Sequence, residues 1–376
     1  MSRSGGAGDR LERVRRHMAD IGVDVLLLSH GADLPWLTGY RAMPLERLTM
    51  LVVDLAEEPV LVVPALEAPR VPDPAGRFTV RPWGETEDPL ELTAAVVRRS
   101  AAISAPTIAV SDRAWAASLL GLQRLLPDAR WVAASTVTAP LRSRKDPDEI
   151  TALRAAAAAA DRVATQLQQG AVPLVGRSEA EVSADLADRL RREGHQEVNF
   201  AIVGSGPNGA SPHHEPGARR IHPGDVVVCD FGGTLALHGG AGYCSDITRT
   251  VVVGQPDPEV RDCYEVLRAA QQAGVAAARA GVTAEAVDGA CRRVIDEAGL
   301  GDRFIHRTGH GIGLEEHEDP YLVAGNTEVL AEGHVFSVEP GIYLPGRFGM
   351  RLEDIVAIGA DGPERLTQAD RALVEL

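Results

Sequence analysis

At 376 residues the chain exceeds what one ordinary hydrophobic core serves, so two domains are expected. A net charge of -15 argues against a nucleic-acid partner, which would want a basic face. The opening residues lack the apolar core of a signal peptide, and no later run reaches the roughly 18 uncharged residues of a membrane helix; a cytoplasmic protein with no membrane partner is expected.

Leu11, Val14, Met18 and Ile21 recur at helical spacing, and Gly22 closes that helix before the strand pattern VDVLLL. LTMLVVD and PVLVV read as a hairpin about LAEE. Helical DPLELTAAVVRRSA, strand TIAV, helical AWAASLLGLQRLL and strand RWVAA follow. Together they predict an α/β domain over residues 8–140 with no cluster of chemistry-bearing side chains. The composition then breaks. All four tryptophans lie in the first 131 residues, whereas all four cysteines and nine of eleven histidines lie beyond residue 190. PLRSRKDPDE, at 140–149, reads as a linker, and Asp146 as N-cap with Pro147 at the first helical position opens a second domain, 146–376.

The second domain repeats itself. Ser178 opens a helix with a capping box to Glu181 and reaches Gly194, sixteen residues on. Thr283 opens another that reaches Gly299, again sixteen residues on. GDVVVCD then places Asp230 six residues after Gly224, and GHVFSVE places Glu339 six residues after Gly333. Matching acids in two halves predict half-domains packed about a pseudo-twofold axis, with the carboxylates facing each other across it.

Each half supplies a further acid, Asp246 in YCSDITRTVVV and Glu353 in GMRLEDIVAI. If both stretches are strands, Asp246 shares a face with Thr248 and Arg351 shares one with Glu353, while Asp354 points away. Four converging carboxylates cannot all stay ionised without cations, so either some are protonated or metal ions lie between them. FIHRTGHGIGLEEHEDP adds His306, His310 and His317 among glycines that permit close backbone approach. One imidazole with four carboxylates would balance two divalent cations. Taken singly, each residue has a plainer reading: Asp230 a turn acid, His310 a hydrogen-bonded core histidine, Glu339 a turn edge, Asp246 half of an ion pair. Their placement by a repeat makes that set of coincidences hard to sustain. Cys229, Cys244, Cys263 and Cys291 form no C-x-x-C pair and are expected to be reduced, and Cys229 and Cys244 are expected to be small buried fillers.

The ordered motifs SGPNGASPHH, GDVVVCDFGG, GYCSDITRT, HRTGHGIGLEEHEDP, SVEPGIY and MRLEDIV, over residues 205–356, resemble the pita-bread metallopeptidases of the Xaa-Pro aminopeptidase and prolidase branch. More weakly, VDVLLL and PWLTGY resemble the creatinase/prolidase-type N-terminal domain. The resemblance implies an α/β protein: that N-terminal domain, then a pseudo-twofold α+β pita-bread catalytic domain. It implies Asp230, Asp246, His310, Glu339 and Glu353 as ligands of two divalent metal ions, with Asp246 and Glu353 bridging. His213, His306 and His317 would contact substrate, and Arg351 would take part in catalysis by supporting Glu353 and the hydrogen-bond network behind it. Cleavage of an Xaa-Pro bond in dipeptides or at peptide N-termini is implied, with Glu339 shuttling the proton and His213 and His317 donating hydrogen bonds. A homodimer is implied as well. The carboxylate-rich set favours Mn2+ or Co2+ over Zn2+. Competing readings are a pita-bread hydrolase or lyase acting on a small non-peptide compound, and a non-catalytic binding module; the complete ligand set argues against a creatinase-like enzyme that lacks the metals and against the module, while metal-using relatives that act on small compounds stay open. One departure stands out. The segment from Asp230 to Asp246 is longer than the branch's usual hairpin, and TLALHGGAG, with His238, is expected to extend the hairpin tip rather than shift its register.

Overall fold

Val25–Leu28 is buried along its whole length, so the strand it forms needs neighbours on both edges. It has them. The computed structural model describes residues 7–72, 76–100, 104–237 and 241–376, and divides between Arg142 and Ser143. In the first unit, α1 (Ala7–Ile21) leads into β1 (Val25–Leu28) and the short α2 (Asp33–Thr38). The hairpin β2 (Met50–Asp54) and β3 (Val60–Pro64) follows, then β4 (Thr79–Trp83), α3 (Pro89–Ser100), β5 (Thr107–Val110), α4 (Ala116–Leu125), β6 (Arg130–Ala133) and α5 (Ser135–Arg142). The sheet order is β4-β3-β2-β1-β5-β6. β1 is antiparallel to β2 and parallel to β5, which places it at the centre.

The second unit begins with α6 (Pro147–Gln168), whose Asp146 cap and Glu149 form a capping box. Six consecutive alanines, Ala155–Ala160, favour the helix and let it lie close to a sheet. α7 (Glu179–Arg192), also with a capping box, precedes β7 (Glu197–Ser205), β8 (Val226–Leu235) and β9 (Tyr243–Val252). After α8 (Pro258–Ala277) and α9 (Ala284–Glu297) come β10 (Gly309–Gly311), β11 (Glu318–Leu322), β12 (Val335–Val338), β13 (Gly341–Leu344), β14 (Phe348–Arg351), β15 (Asp354–Gly359), β16 (Gly362–Arg365) and β17 (Val374–Glu375). Two sheets result, β17-β9-β8-β7 and β11-β10-β12-β15-β16, with β13-β14 as a separate pair.

Alternation along β8 and β9 sorts side chains by role. Val227, Cys229, Phe231, Ile247 and Val251 pack with α6 and α7 residues such as Val163 and Leu186. Their neighbours Asp230, Asp246 and Thr248 point to the other face. α8 and α9 cover the second sheet in the same way, Leu267, Val287 and Ile295 sharing a core with Phe336, Val338 and Val356. Each half thus buries one sheet face under helices and frees the other.

One sequence expectation fails in detail. GMRLEDIVAI is not a continuous strand: β14 ends at Arg351 and β15 starts at Asp354. The chain changes partners there, from β13 to β12, so Leu352 and Glu353 leave the ladder. His238 lies outside the described residues. No described helix is long and apolar enough to cross a membrane.

Candidate metal centre

Asp230 stands opposite Thr248, and Gly232 opposite Asp246, so the two acids share one face of the hairpin two positions apart. The ladder runs from Val226 against Val252 to Leu235 against Tyr243 with no shift. The additional residues between the acids therefore fall beyond Leu235, and Asp246 keeps its inward face. From the other half come Glu339, directly after β12, and Glu353, in the break between β14 and β15. His310 lies on β10 between two glycines. A Cβ on Gly309 would collide with the Ser337 carbonyl, and one on Gly311 with the Asp319 carbonyl. Only glycine lets His310 sit this close to its neighbours.

Asp230, Asp246, His310 and Glu353 are buried, at 8, 4, 2 and 1% exposure. Three sets of potential donors close to within 4.8 Å: Asp230 with Asp246 and Glu353; His310 with Glu339 and Glu353; Asp246 with His310 and His317. Asp246 and Glu353 each belong to two sets. Asp230 Oδ1 and Glu353 Oε1 are buried and have no hydrogen-bond partner among the described residues. Orphaned carboxylate oxygens in a buried acidic cluster are what a cation would satisfy.

The electrostatics agree. Burial raises the carboxyl groups of Asp246 and Glu353 well above their ordinary range, and neighbouring acids add to it, Glu353 acting on Asp246 and Glu339 on Glu353. Asp230 is raised too, by burial that outweighs the Arg351 guanidinium. Glu339 goes the other way: burial pushes it up, but the hydrogen bond and charge of His310, with His306 and Arg351, hold it at about 2. The His310 Nδ1 lies 3.1 Å from the Gly311 carbonyl and donates to it. That leaves Nε2 facing Glu339 Oε1 at 3.2 Å and Asp246 Oδ2 at 3.7 Å. A proton there joins the histidine to Glu339; with a cation the same lone pair becomes a ligand. The donor set fits a divalent ion.

Arg351 meets Asp230, its Nη2 lying 2.5 Å from Oδ2, and reaches Glu353 through Thr248. Its Nε donates to Thr248 Oγ1 at 3.1 Å, and that hydroxyl donates to Glu353 Oε2 at 2.8 Å. Tyr343, a partner the sequence reading missed, accepts from Arg351 Nη1 at 3.0 Å and lies 2.8 Å from His306 Nε2. With His306 Nδ1 on the Arg307 carbonyl at 2.7 Å, both nitrogens of His306 are engaged within the protein. No motif spacing signals Tyr343, although it ends SVEPGIY.

His213 and His317 are exposed at the rim. The His317 ring lies 3.9 Å from that of His310, and burial, His310 and Arg307 lower its pKa to about 4, so it is neutral above that pH. Arg307 Nη2 lies 3.3 Å from His317 Nδ1, which leaves Nε2 as the N–H. All nine residues singled out in the sequence border one cavity of about 470 Å3, with Phe200, Ile202 and Pro212 on its apolar side.

Residues 151–360 match Metallopeptidase family M24, and residues 10–144 match the Creatinase/Prolidase N-terminal domain. A probable dipeptidase PepE of Mycobacterium tuberculosis is 45% identical over 371 residues, covering 97% of this chain and 95% of its own. An Xaa-Pro dipeptidase of Lactobacillus helveticus is 35% identical over 366 residues, covering 96% and 98%. The solved structure of recombinant prolidase from Thermococcus sibiricus superposes with a TM-score of 0.91 at 36% identity, over 99% of this chain and all of that one. With its buried acid and histidine clusters at the junction of two half-domains, the chain belongs to metallopeptidase family M24 and is a metallopeptidase with a creatinase/prolidase-type N-terminal domain.

Proposed function

We propose that the cavity hydrolyses the Xaa-Pro bond of dipeptides or of peptide N-termini, with Asp230, Asp246, His310, Glu339 and Glu353 holding two divalent ions. The observation that carries the reading is the pair of orphaned oxygens, Asp230 Oδ1 and Glu353 Oε1, within donor sets that share Asp246 and Glu353. Carboxylate dominance favours Mn2+ or Co2+ over Zn2+. Such ions, when bound, lower the pKa of water and polarise a carbonyl.

The chain's own groups supply the rest. Glu339, ionised above about pH 2, accepts the proton released as water adds to the carbonyl carbon, and passes it to the proline nitrogen as the C–N bond breaks. Neutral His317, with its Nε2–H, and His213 donate to the substrate and to the oxygen that gains charge. Arg351 fixes Asp230 and, through Thr248, Glu353. The proline nitrogen has no hydrogen to grip, so recognition falls to shape, and Phe200, Ile202 and Pro212 offer an apolar wall. The names of the Lactobacillus dipeptidase and the Thermococcus prolidase support this substrate class. Four buried cysteines, none of them in a disulfide, fit a reducing cytoplasm.

The test compares Ala-Pro with Ala-Ala, and a small non-peptide amidine, before and after chelation and after Mn2+ is restored. Hydrolysis of Ala-Pro that chelation abolishes and Mn2+ recovers, with two ions per chain by elemental analysis, is expected. Turnover of Ala-Pro that survives complete metal removal overturns the reading.

A further inference from the structure

Glu179 is the first residue of α7 and is fully buried, at 0% exposure. No lysine or arginine forms an ion pair with its carboxylate among the described residues, although the charge of Arg219, which donates to the Ser205 hydroxyl, is felt there. Instead it gathers donors from one segment, 205–217. The Ser205 backbone N–H and hydroxyl donate at 2.8 and 2.7 Å, and Asn208 Nδ2 reaches both carboxylate oxygens at 3.1 and 3.0 Å. His214 Nε2 lies at 2.8 Å and the Gly217 N–H at 3.4 Å. Burial opposes the charge, but these bonds hold the carboxyl below its ordinary range.

Within that segment lies His213. Its neighbour on one side, His214, is tied to Glu179. Its neighbour on the other, Pro212, accepts from Arg351 Nη1 through its carbonyl at 3.2 Å. His213 itself makes no hydrogen bond among the described residues and borders the cavity. The backbone is clamped on both sides of a side chain left free for a ligand.

We propose that Glu179 is a positioning residue that aims His213 at the substrate by clamping segment 205–217. The proposal rests on the peptidase reading for its kinetic consequence, and on the geometry alone for its structural one. Glu179→Gln keeps the shape but cannot accept all the donors. A displacement of about 1 Å in a group that positions substrate can cost up to about 100-fold in activity. That loss is expected in kcat/KM on Ala-Pro, at unchanged ion stoichiometry, since no candidate ligand lies on the segment.

A double-mutant cycle with His213→Ala separates aiming from mere support. If Glu179 acts through His213, the double variant is no slower than His213→Ala alone, and Glu179→Asp recovers part of the loss. Multiplied losses, or a fully active Glu179→Gln, overturn the proposal. Should Glu179→Gln fail to fold, Asn208→Ala, which removes one donor pair, runs the same cycle with a smaller loss. If the native enzyme cleaves no Xaa-Pro peptide, the peptidase reading falls and the clamp is read from crystals instead. A His213 ring that leaves the cavity in Glu179→Gln supports it, and one that stays put overturns it.

Discussion

The two halves of the second unit share a backbone frame but not a chemistry. In the first, Gly176 donates to the Ile221 carbonyl and Ile221 to that of Arg177; in the second, Gly281 donates to Leu330 and Leu330 to Val282. Ala180 donates to Gly217 as Glu285 does to Asn326. Even the glycines that start the acid-bearing strands adopt one conformation, Gly224 at φ 90° and Gly333 at φ 91°, a region only glycine enters cheaply. Six residues later the resemblance ends. Asp230 faces a guanidinium and its carboxyl is raised, whereas Glu339 faces an imidazole and is held at about 2. A repeated frame fixes where a carboxylate enters the site, and the neighbour it meets there decides its task.

Replacing each acid tests that division. Glu339→Gln removes the proton carrier and should lower kcat by about 10²–10⁴-fold while leaving the other four donors in place. Asp246→Asn, which takes charge from two donor sets at once, should leave no measurable turnover and a lower ion content. Steady-state kinetics with elemental analysis reads both. Equal losses of metal in the two variants would mean that Glu339 is a ligand and nothing more.

Much of this was legible before any coordinates. Periodicity and capping residues predict most of the first unit's elements, though not α2, β4 or α5, and equal spacings to Gly224 and Gly333 reveal the repeat. What the sequence hides is contact between distant segments. Leu352 and Glu353 read as strand because apolar alternation continues through them; the ladder breaks because the flanking strands belong to different partners. Tyr343 ends the motif SVEPGIY without any sign of its partner and Glu179 lies in no motif, and only folding brings them to Arg351 and His214. His306 reads as a pocket histidine, and only the structure shows both of its nitrogens engaged.

The halves are also bolted together behind the site. Arg249, on the face of β9 opposite Asp246, is fully buried; its Nη2 lies 2.8 Å from Asp354 Oδ1, and its Nη1 donates to the Glu353 and Thr248 carbonyls. Asp354 also meets Arg365 Nε at 2.8 Å through its other oxygen, so Arg249→Met leaves it one cation and should cost about 1–3 kcal/mol in denaturant titration, as for a buried group that loses one partner. An Arg249→Met protein as stable as the parent would show that the halves hold together without the pair.

Metal binding should sharpen the contrast with pH. Asp246 and Glu353 have folded pKa values above their unfolded ones, so without metal they favour the folded state less as pH rises through that window. A cation displaces their protons, and its affinity rises with pH. Saturation at about 100 times Kd contributes about 2.7 kcal/mol. At fixed Mn2+, the rise in Tm should be larger at pH 8 than at pH 5.5; an equal rise would contradict protonated acids in the metal-free site.

The smallest effect separates the halves by acid sensitivity. The residue after each positive-φ glycine is Asp225 in the first half and His334 in the second. Asp225 is pushed up by burial, but Arg219, at 2.7 Å, and the His222 N–H outweigh this and hold it below 3.8. Its stabilisation is present above 3.8 and is lost only as pH falls further. His334 is lowered from 6.5 to about 4, by burial first and then by Lys145 and Arg144, and it accepts the Ala331 N–H at Nδ1. Its neutral form belongs to the folded state, so stability drains between pH 6.5 and about 4 as the unfolded chain takes up a proton that the folded one refuses. The whole shift would carry about 3 kcal/mol, and relaxation around the ring should leave roughly 1–2. Acid should therefore loosen the second half first. His334→Gln should flatten the fall in Tm between pH 6.5 and 4, and Asp225→Asn only the fall below it. If Asp225→Asn flattened the upper window instead, the pairing with Arg219 would not be what holds that carboxylate ionised.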